Sequence, residues 1–393
     1  MTVLVMSLDF DSARLPNPNL TTEHYAWRDQ LRRFVDQEIM PYADEWDEAG
    51  HIPAALWPKA AEVGLLGLGY PELYGGVPGD VWFSQIASEE LARIGAGGIN
   101  ASLMVHSIGL PPVLNWGSES MKATIAPSVL RGESWISLGI TEPGGGSDVA
   151  NLSTTAVRDG DHFVVNGSKT YITGGMRANY VSTAVRTGGP GAAGVSMLLI
   201  PTDAPGFSRT ALDRKQGWWA SDTATLYFDN VRVPVDQLIG QENQGFKVIM
   251  TNFNSERMGM AIQMEAYGRV CLEEAVNWAR DRQTFGKRLA DHQVIRHKIA
   301  TMKQKLNATQ AYIRICNESI AEGNPNPGDI ALLKVQASEV MEYCAREALQ
   351  ILGGIGFMRG SRAERIYREV RVNAIGGGSE EIMRDLAARQ YGL

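Results

Sequence analysis

Residues 253–278, FNSERMGMAIQMEAYGRVCLEEAVNW, carry a single stripe of mostly apolar residues at helical spacing. With steps of three or four throughout, the stripe consists of Phe253, Glu256, Met260, Met264, Tyr267, Cys271, Ala275 and Trp278. That period buries one face of a long helix. The stretch therefore predicts a core helix of a helical bundle.

The segments that follow this helix have the same period. A second stripe consists of Ile295, Ile299, Met302, Leu306, Thr309, Ile313, Cys316 and Ile320. After the connecting loop EGNPNPGD at 322–329, a third helix is predicted to about Leu352, and a shorter one near 361–373. Long antiparallel helices with apolar stripes pack as a bundle, which we predict for residues 239–393.

The segments that precede the bundle have a different character. Between 135 and 238, runs such as HFVVNGSKTYIT and TATLYFDNVRVP are rich in β-branched and aromatic residues, with turn clusters such as DGD and TDAPG between them. This pattern predicts a compact β barrel or sandwich. Residues 1–134 are predicted as helices broken by turns. The fold class is mainly α with a central β domain, in three domains: 1–134, 135–238 and 239–393.

Composition narrows the function classes. The net charge of −7 argues against nucleic-acid binding, which needs a basic surface. No apolar run reaches the length of a transmembrane helix, so we expect no membrane span. Cys271, Cys316 and Cys344 lie too far apart for a disulfide framework or a zinc site, and the histidines lack metal-ligand spacing. We predict a metal-free cytoplasmic protein and do not interpret the apolar start MTVLVMSLDF as a signal peptide.

Glu256 breaks the apolar pattern of the first stripe. It lies three residues after Phe253 and four before Met260, so its carboxylate is predicted to project from the buried face. Apolar surroundings disfavour an ionised carboxylate and raise its pKa toward the range of a general base. A structural ion pair with Arg257 or another basic residue is the alternative, since buried charges are usually paired.

Three loops carry residues suited to binding. ITEPGGGSD, at 140–148, combines glycines with hydroxyls that can bind a phosphate or a ring edge; a tight β-turn is the alternative. DRQTFGKRLADHQ, at 281–293, offers polar groups and an aromatic ring, or is a solvated helix connection. In RVNAIGGGSEEIM, at 371–383, three glycines allow close backbone approach before Ser379 caps the next helix.

Taken together, these strings resemble the acyl-CoA dehydrogenase family, from about residue 20 to the end of the chain. The matching strings occur in the family's order: ITEPGGGSD, NGSKTYITGG, SDTATLYFDNVRVP, GFKVIM, RQTFGK, QILGGIGF and IGGGSEEIM. The resemblance implies an N-terminal helical domain, a middle β-barrel and a C-terminal four-helix bundle. It also implies a homotetramer, built as a dimer of dimers, that binds FAD in a cleft completed by a neighbouring subunit.

The resemblance also assigns FAD contacts residue by residue. The matching positions are Leu138, Ile140, Thr141, Gly146, Ser147, Tyr171, Thr173, Arg282, Thr284, Phe285, Gln293, Gln350, Gly353, Gly354, Ser379 and Glu381. The fixed guanidinium fork of Arg282 suits a pyrophosphate. Tyr171 stands where family members often have Trp or Phe, so we expect altered shielding of the flavin edge with binding retained.

The implied reaction is α,β-dehydrogenation of an acyl-CoA to the trans-2-enoyl-CoA, with electrons passed to an electron-transferring flavoprotein. Many straight-chain members place the base on the loop position that Gly377 occupies here. Isovaleryl-CoA and long-chain dehydrogenases also have glycine there and carry the base in an ER dipeptide, which matches Glu256-Arg257. Glu256 is therefore the predicted base, and the Gly377 N–H is expected to polarise the thioester carbonyl. The predicted substrate contacts are Ser147, Asn254, Arg257, Gly376 and Gly377.

The substrate is predicted from Gly376, which replaces a bulky aromatic residue of many straight-chain members. The missing ring widens the acyl cavity and favours a branched-chain or terpenoid-like acyl-CoA. IGGGSEEIM also resembles citronellyl-CoA-type dehydrogenases. Two alternatives on the same fold are an oxygen-using flavin oxidase or monooxygenase and a non-catalytic binding member of the family.

Overall fold

The computed structural model describes residues 7–393. Residues 1–6 of the apolar segment MTVLVMSLDF, which we do not interpret as a signal peptide, lie outside the described residues. Within the described part, the chain forms helices, then a β-sheet, then a second set of helices, as the sequence predicts. The predicted fold class is confirmed.

Seven helices form the first part of the chain. They are α1 (Thr22–Glu38), α2 (Ala43–Ala49), α3 (Leu56–Glu62), α4 (Val81–Ala92), α5 (Gly97–Leu103), α6 (His106–Trp116) and α7 (Glu119–Leu130). Side-chain caps define two of the starts. The Asp80 carboxylate accepts from the N–H groups of Trp82 and Phe83 at the start of α4, and the Ser118 hydroxyl accepts from Met121 N–H in α7.

Eight strands form one sheet in the middle of the chain. They are β1 (Ile136–Gly139), β2 (Thr155–Asp159), β3 (His162–Thr173), β4 (Tyr180–Arg186), β5 (Val195–Pro201), β6 (Phe207–Ala211), β7 (Thr223–Pro234) and β8 (Leu238–Ile239). Their order is β6-β7-β3-β2-β4-β5-β8, and β1 pairs in parallel with β4. The antiparallel pair β3–β7 buries Phe163, Val165, Val231 and Val233 in one apolar cluster.

The last part of the chain is the helical bundle. It contains α8 (Gly245–Asp281), the small hairpin β9 (Gln283–Thr284) and β10 (Lys287–Arg288), α9 (Gln293–Ala321), α10 (Pro327–Leu352), α11 (Arg362–Ile375) and α12 (Glu380–Gln390). The predicted stripes are confirmed, because Met264, Tyr267 and Cys271 on α8 and Met302 and Leu306 on α9 have no exposed surface.

The described chain divides into two compact units. One comprises residues 7–44, Asp80–Gly97 and Arg257–Leu393, and the other comprises Glu45–Gly79 and Gly98–Glu256. The boundary falls inside α8, between two consecutive residues. The three predicted domain ranges stay a prediction. Within residues 7–393, none of the helices combines the length and the hydrophobicity that a membrane crossing needs.

Candidate functional site

The first predicted binding loop follows β1. Thr141 is held at its start, because Thr170 N–H donates to the Thr141 carbonyl at 2.8 Å. Beyond it, residues 143–148 are exposed, including Ser147 and Gly146. A Cβ added at Gly144 or Gly145 would meet no atom within 4 Å. The packing of the chain itself therefore does not require glycine there, and the loop leaves open space for the close approach of a ligand.

A buried ion pair anchors this loop to β3. The Lys169 ammonium, which has no exposed surface, donates to Glu142 Oε1 at 2.7 Å and to the Ile140 carbonyl at 3.1 Å. Glu142 also accepts from Ser153 N–H at 2.6 Å and from Thr154 N–H at 2.8 Å. Both ends of the loop are thus fixed, so the open glycines between them have a defined place in the unit.

The pKa values of this pair follow from burial and from the partners. Burial lowers the pKa of Lys169 to about 8, although the Glu142 carboxylate opposes the shift. For Glu142, burial alone would raise the pKa, but the Lys169 ammonium and the donors from Ser153 and Thr154 outweigh it and lower the pKa to about 2. Both groups are therefore charged at neutral pH, and the ion pair is lost at alkaline pH when Lys169 loses its proton.

Tyr171 lies at an irregularity of β3. The register with β7 shifts between Lys169 and Ile172, and Tyr171 has a left-handed φ of 58°. A bulge of this kind turns a side chain out of the alternation of the strand. The Tyr171 side chain is accordingly 70% exposed, and its ring is open to a planar partner. Two residues on, Thr173 is half-buried, and its carbonyl accepts from the Ser137 hydroxyl.

The β9–β10 hairpin in the other unit presents the second predicted loop. Phe285 at its tip has a φ of 52° and is 97% exposed. Arg282 is exposed, with its guanidinium 5.9 Å from the centroid of the Trp278 ring. The Thr284 hydroxyl lies 3.1 Å from His292 Nε2. The sequence analysis missed His292, which holds the hydroxyl predicted to contact the cofactor.

The remaining predicted cofactor residues in this unit are at helix ends. Gln293 begins α9, Gln350 lies in the last turn of α10, and Gly353 and Gly354 follow it; all four are exposed. An added Cβ at either glycine would meet nothing within 4 Å. Ser379 caps α12 through a hydrogen bond from Ile382 N–H, and Glu381 is exposed in its first turn. Within this unit, the exposed side-chain amides, the Arg282 guanidinium and the Phe285 ring are groups that fit a dinucleotide carrying a ring system.

The three-glycine loop connects α11 to α12. Gly376 ends α11 with its N–H bonded to the Val372 carbonyl at 2.7 Å. Gly377 and Gly378 then have φ values of 66° and 111°, which L side chains rarely adopt. A Cβ on Gly377 would also lie 2.8 Å from Met260 Sδ, so both backbone and packing favour glycine at this position.

The predicted base and its neighbour lie in α8. Glu256 and Asn254 are half-buried, so the deep burial expected for an apolar stripe is reached only further along the helix. Arg257 is 7% exposed, and its Nε donates to the Gly377 carbonyl at 3.0 Å. One guanidinium N–H of Arg257 thus binds the glycine loop.

A buried lysine that the sequence analysis missed also contacts this loop. Lys334 on α10 has no exposed surface, and its ammonium donates to the carbonyls of Ala374 at 2.9 Å and Gly378 at 2.8 Å. A signal was present, because Lys334 interrupts the apolar pattern of its helix as Glu256 does in α8. Among residues 7–393, no cluster of three or more metal-ligating side chains occurs.

Comparison with known proteins identifies one family along the whole chain. Profiles described as the N-terminal, middle and C-terminal domains of acyl-CoA dehydrogenase match residues 21–133, 137–231 and 243–392. A solved structure of a probable acyl-CoA dehydrogenase from Mycobacterium abscessus is 45% identical, with a TM-score of 0.93, and the match covers 95% of this chain and 99% of that one.

Two further relatives extend the comparison. The acyl-CoA dehydrogenase AFT10-1 of Alternaria alternata is 37% identical over an alignment of 404 positions. The alignment covers 96% of this chain and 93% of the relative. A glutaryl-CoA dehydrogenase from Mycobacterium smegmatis, solved in complex with FADH2, is 26% identical with a TM-score of 0.90, and the match covers 95% of each chain.

We expect the Lys169–Glu142 pair to make the affinity for FAD depend on pH. The ammonium is charged below about pH 8 and loses its proton above it, so the anchor of the glycine loop weakens as pH rises. We expect the FAD dissociation constant of the apoprotein to rise roughly tenfold between about pH 7 and about pH 9.5, an effect of about 1.4 kcal/mol. Glu142, with its pKa of about 2, adds no change in this window.

Two variants measure this effect through the fluorescence of released FAD. Lys169→Met is expected to bind FAD more weakly at neutral pH and to lose the alkaline decline. Lys122→Met is the matched control, because Lys122 forms a 2.8 Å ion pair with Glu119 in the same unit, away from the loop. A Lys169→Met protein with the affinity and pH profile of the wild type would contradict the anchoring role.

Proposed function

The chain belongs to the acyl-CoA dehydrogenase family, and on this premise we propose how its residues perform the reaction. Acyl-CoA dehydrogenase activity and FAD as the cofactor follow from the family. The proposed reaction removes hydrogen from C2 and C3 of an acyl-CoA thioester and gives the trans-2-enoyl-CoA. A base must take the C2 proton, and a donor must stabilise the negative charge that develops on the thioester oxygen.

Glu256 is the proposed base. The observation that carries this proposal is the hydrogen bond from Arg257 Nε to the Gly377 carbonyl, 3.0 Å long. This hydrogen bond joins α8, at the residue directly after Glu256, to the glycine loop. The central residue of the loop, Gly377, has no side chain. Gly377 cannot take a proton, whereas Glu256 is a half-buried carboxylate next to the residue that holds the loop. Partial removal from water makes a carboxylate a stronger base.

Gly377 is the proposed donor to the thioester oxygen through its main-chain N–H. Because its φ is 66°, its backbone takes a conformation that a residue with a side chain would resist. Arg257, Asn254, Ser147 and Gly376 are the further proposed substrate contacts. Bound at the proposed contacts, FAD would supply the acceptor for the C3 hydrogen, which leaves as hydride. The proposed FAD contacts are the residues that the family resemblance assigns. The exposure of several of them, such as Ser147, Tyr171 and Phe285, supports the proposal, whereas Ile140 is buried.

A branched-chain or terpenoid-like acyl group is the proposed substrate class. Gly376 has an ordinary φ of −63°, so the backbone does not demand glycine there. A Cβ at this position would lie 3.7 Å from Met260 Cε and 3.0 Å from the Val372 carbonyl. A side chain could thus be carried with a small adjustment, and its absence leaves the space beside Met260 for a substituent on the acyl chain.

The working assembly is the proposed homotetramer, which passes electrons to an electron-transferring flavoprotein. Exposed apolar side chains in the bundle support an assembly, because Phe285 is 97%, Phe357 is 89% and Met358 is 62% exposed. The proposed location is the cytoplasm, and three buried cysteines without disulfides are in keeping with a reducing compartment. Reduced flavin that persists in air would separate this electron route from the oxygen-using alternative.

Glu256→Gln is expected to retain FAD and to abolish bleaching of the flavin by acyl-CoA, because the amide cannot accept the C2 proton. The measurement is an anaerobic titration with a panel of straight-chain, branched and terpenoid acyl-CoAs, followed by flavin absorbance. We expect the bleaching rate to fall by at least about 10³-fold. Glu322→Gln, an equivalent change on an exposed part of the chain, is the control. Near-normal bleaching by Glu256→Gln would reject the base.

Gly376→Tyr is expected to lower kcat/KM for branched acyl-CoAs at least about tenfold more than for linear ones, because the ring fills the proposed space beside Met260. Gly376→Ala, which adds only a methyl group, is expected to have a smaller effect in the same direction. Steady-state kinetics with paired linear and branched substrates measure the ratio. Equal losses for both substrate types would contradict the cavity argument.

A further inference from the structure

Lys334 is a buried cation that donates two hydrogen bonds to one short stretch of backbone. Its ammonium has no exposed surface and donates to the carbonyls of Ala374 and Gly378, at 2.9 and 2.8 Å. A buried ammonium is unfavourable unless hydrogen bonds replace its water. Here the accepting carbonyl oxygens lie on either side of Gly376 and Gly377 in the sequence, so the lysine links the two ends of the glycine loop.

Arg257 binds the same stretch between these two points. With its hydrogen bond to the Gly377 carbonyl, three of the five carbonyl groups from Ala374 to Gly378 are held by cations. Ala374 lies in the last turn of α11, where helix carbonyls without partners attract a positive charge. The arrangement therefore stabilises both the end of the helix and the turn that follows it.

The loop needs such anchors because of its composition. Glycine has the widest conformational freedom of any residue, and Gly377 and Gly378 adopt positive φ values in succession. A main-chain donor stabilises a developing oxyanion only if it is already oriented when charge appears. The Gly377 N–H shares its trans peptide with the Gly376 carbonyl, and this peptide lies between the held carbonyls of Ala374 and Gly377. Anchors on either side therefore limit how far it can rotate.

We propose that Lys334 is a positioning residue for the reaction, which acts by holding the glycine loop so that the Gly377 N–H stays aimed at the thioester oxygen. This inference rests on the proposed function, in which that N–H polarises the thioester. Lys334 does not touch the substrate in this account. Its ammonium acts through the carbonyls of Ala374 and Gly378, and we expect its loss to slow the chemical step.

The test compares Lys334→Met, which removes every donor, with Lys334→Gln, which keeps two neutral N–H groups. Lys334→Met is expected to lower kcat about tenfold and to change KM less than about threefold, because the loop loses its orientation in the transition state. Lys334→Gln is expected to recover part of the loss. Lys303→Met is the control, because Lys303 also donates to a main-chain carbonyl, that of Ala13, at 2.8 Å in the same unit.

A vibrational measurement separates orientation from general damage to the fold. The panel member that the wild type oxidises fastest is labelled with 13C at its carbonyl and bound to Glu256→Gln protein, which does not turn it over. Its C=O stretch is expected at a lower wavenumber than in water. Adding Lys334→Met is expected to remove at least half of that shift, while Lys334→Gln keeps more of it. Thermal melting and flavin content check that each protein is folded, and the Gln variant carries the test if the Met variant does not fold.

The outcomes distinguish this inference from the function it rests on. If no panel member bleaches the wild type, or if the bound carbonyl shows no shift in Glu256→Gln protein, the proposed function fails and the inference falls with it. If the shift is present and folded Lys334 variants keep both the full shift and wild-type kcat, only the role of Lys334 is rejected. A loss of the same size in Lys303→Met would also reject it.

Discussion

A glycine loop can bring its backbone to a ligand only if other groups hold it still, and buried cations do so here in both units. Lys169 fixes the loop after β1 through Glu142 and the Ile140 carbonyl, and Lys334 fixes the loop after α11 through two carbonyls. The glycine-rich segments that are proposed to bind cofactor and substrate are thus held by buried side chains from β3 and α10.

The two anchors each contribute a free energy that can be placed on a common scale. Lys169 has a carboxylate partner, and breaking a buried ion pair by removing one member typically costs about 3–5 kcal/mol. The Lys334 ammonium donates to two carbonyl oxygens, and a hydrogen bond to a charged group contributes about 1.5–3 kcal/mol. Either amount is at least as large as the about 1.4 kcal/mol that changes a rate or an affinity tenfold. Substitution of either lysine is therefore expected to change binding or catalysis, although neither lysine is a proposed ligand contact.

Sequence periodicity predicted the elements well because helix stripes and strand alternation are local signals. Met264, Tyr267 and Cys271 were predicted on a buried face and are fully buried. The anchoring contacts are not local. Lys334 donates to residues 40 and 44 positions away, and the residues next to it in the sequence do not predict those partners. The bulge that exposes Tyr171 and the contact of Thr284 with His292 likewise depend on tertiary pairing. The motif strings contain Lys169 but not Lys334, and only the structure gives either lysine a role.

The central claim is that the C2 proton is taken by a carboxylate on α8 and not by the glycine loop. A 3-alkynoyl-CoA tests it most directly. Removal of its C2 proton and return of a proton to C4 give the isomeric 2,3-allenoyl thioester, whose C3 is then attacked by the carboxylate that took the C2 proton. After inactivation, digestion and mass spectrometry locate the adduct. The account predicts a single modified residue, Glu256, with the label lost when an ordinary acyl-CoA protects the site. An adduct on another carboxylate, with Glu256 unmodified, would contradict it.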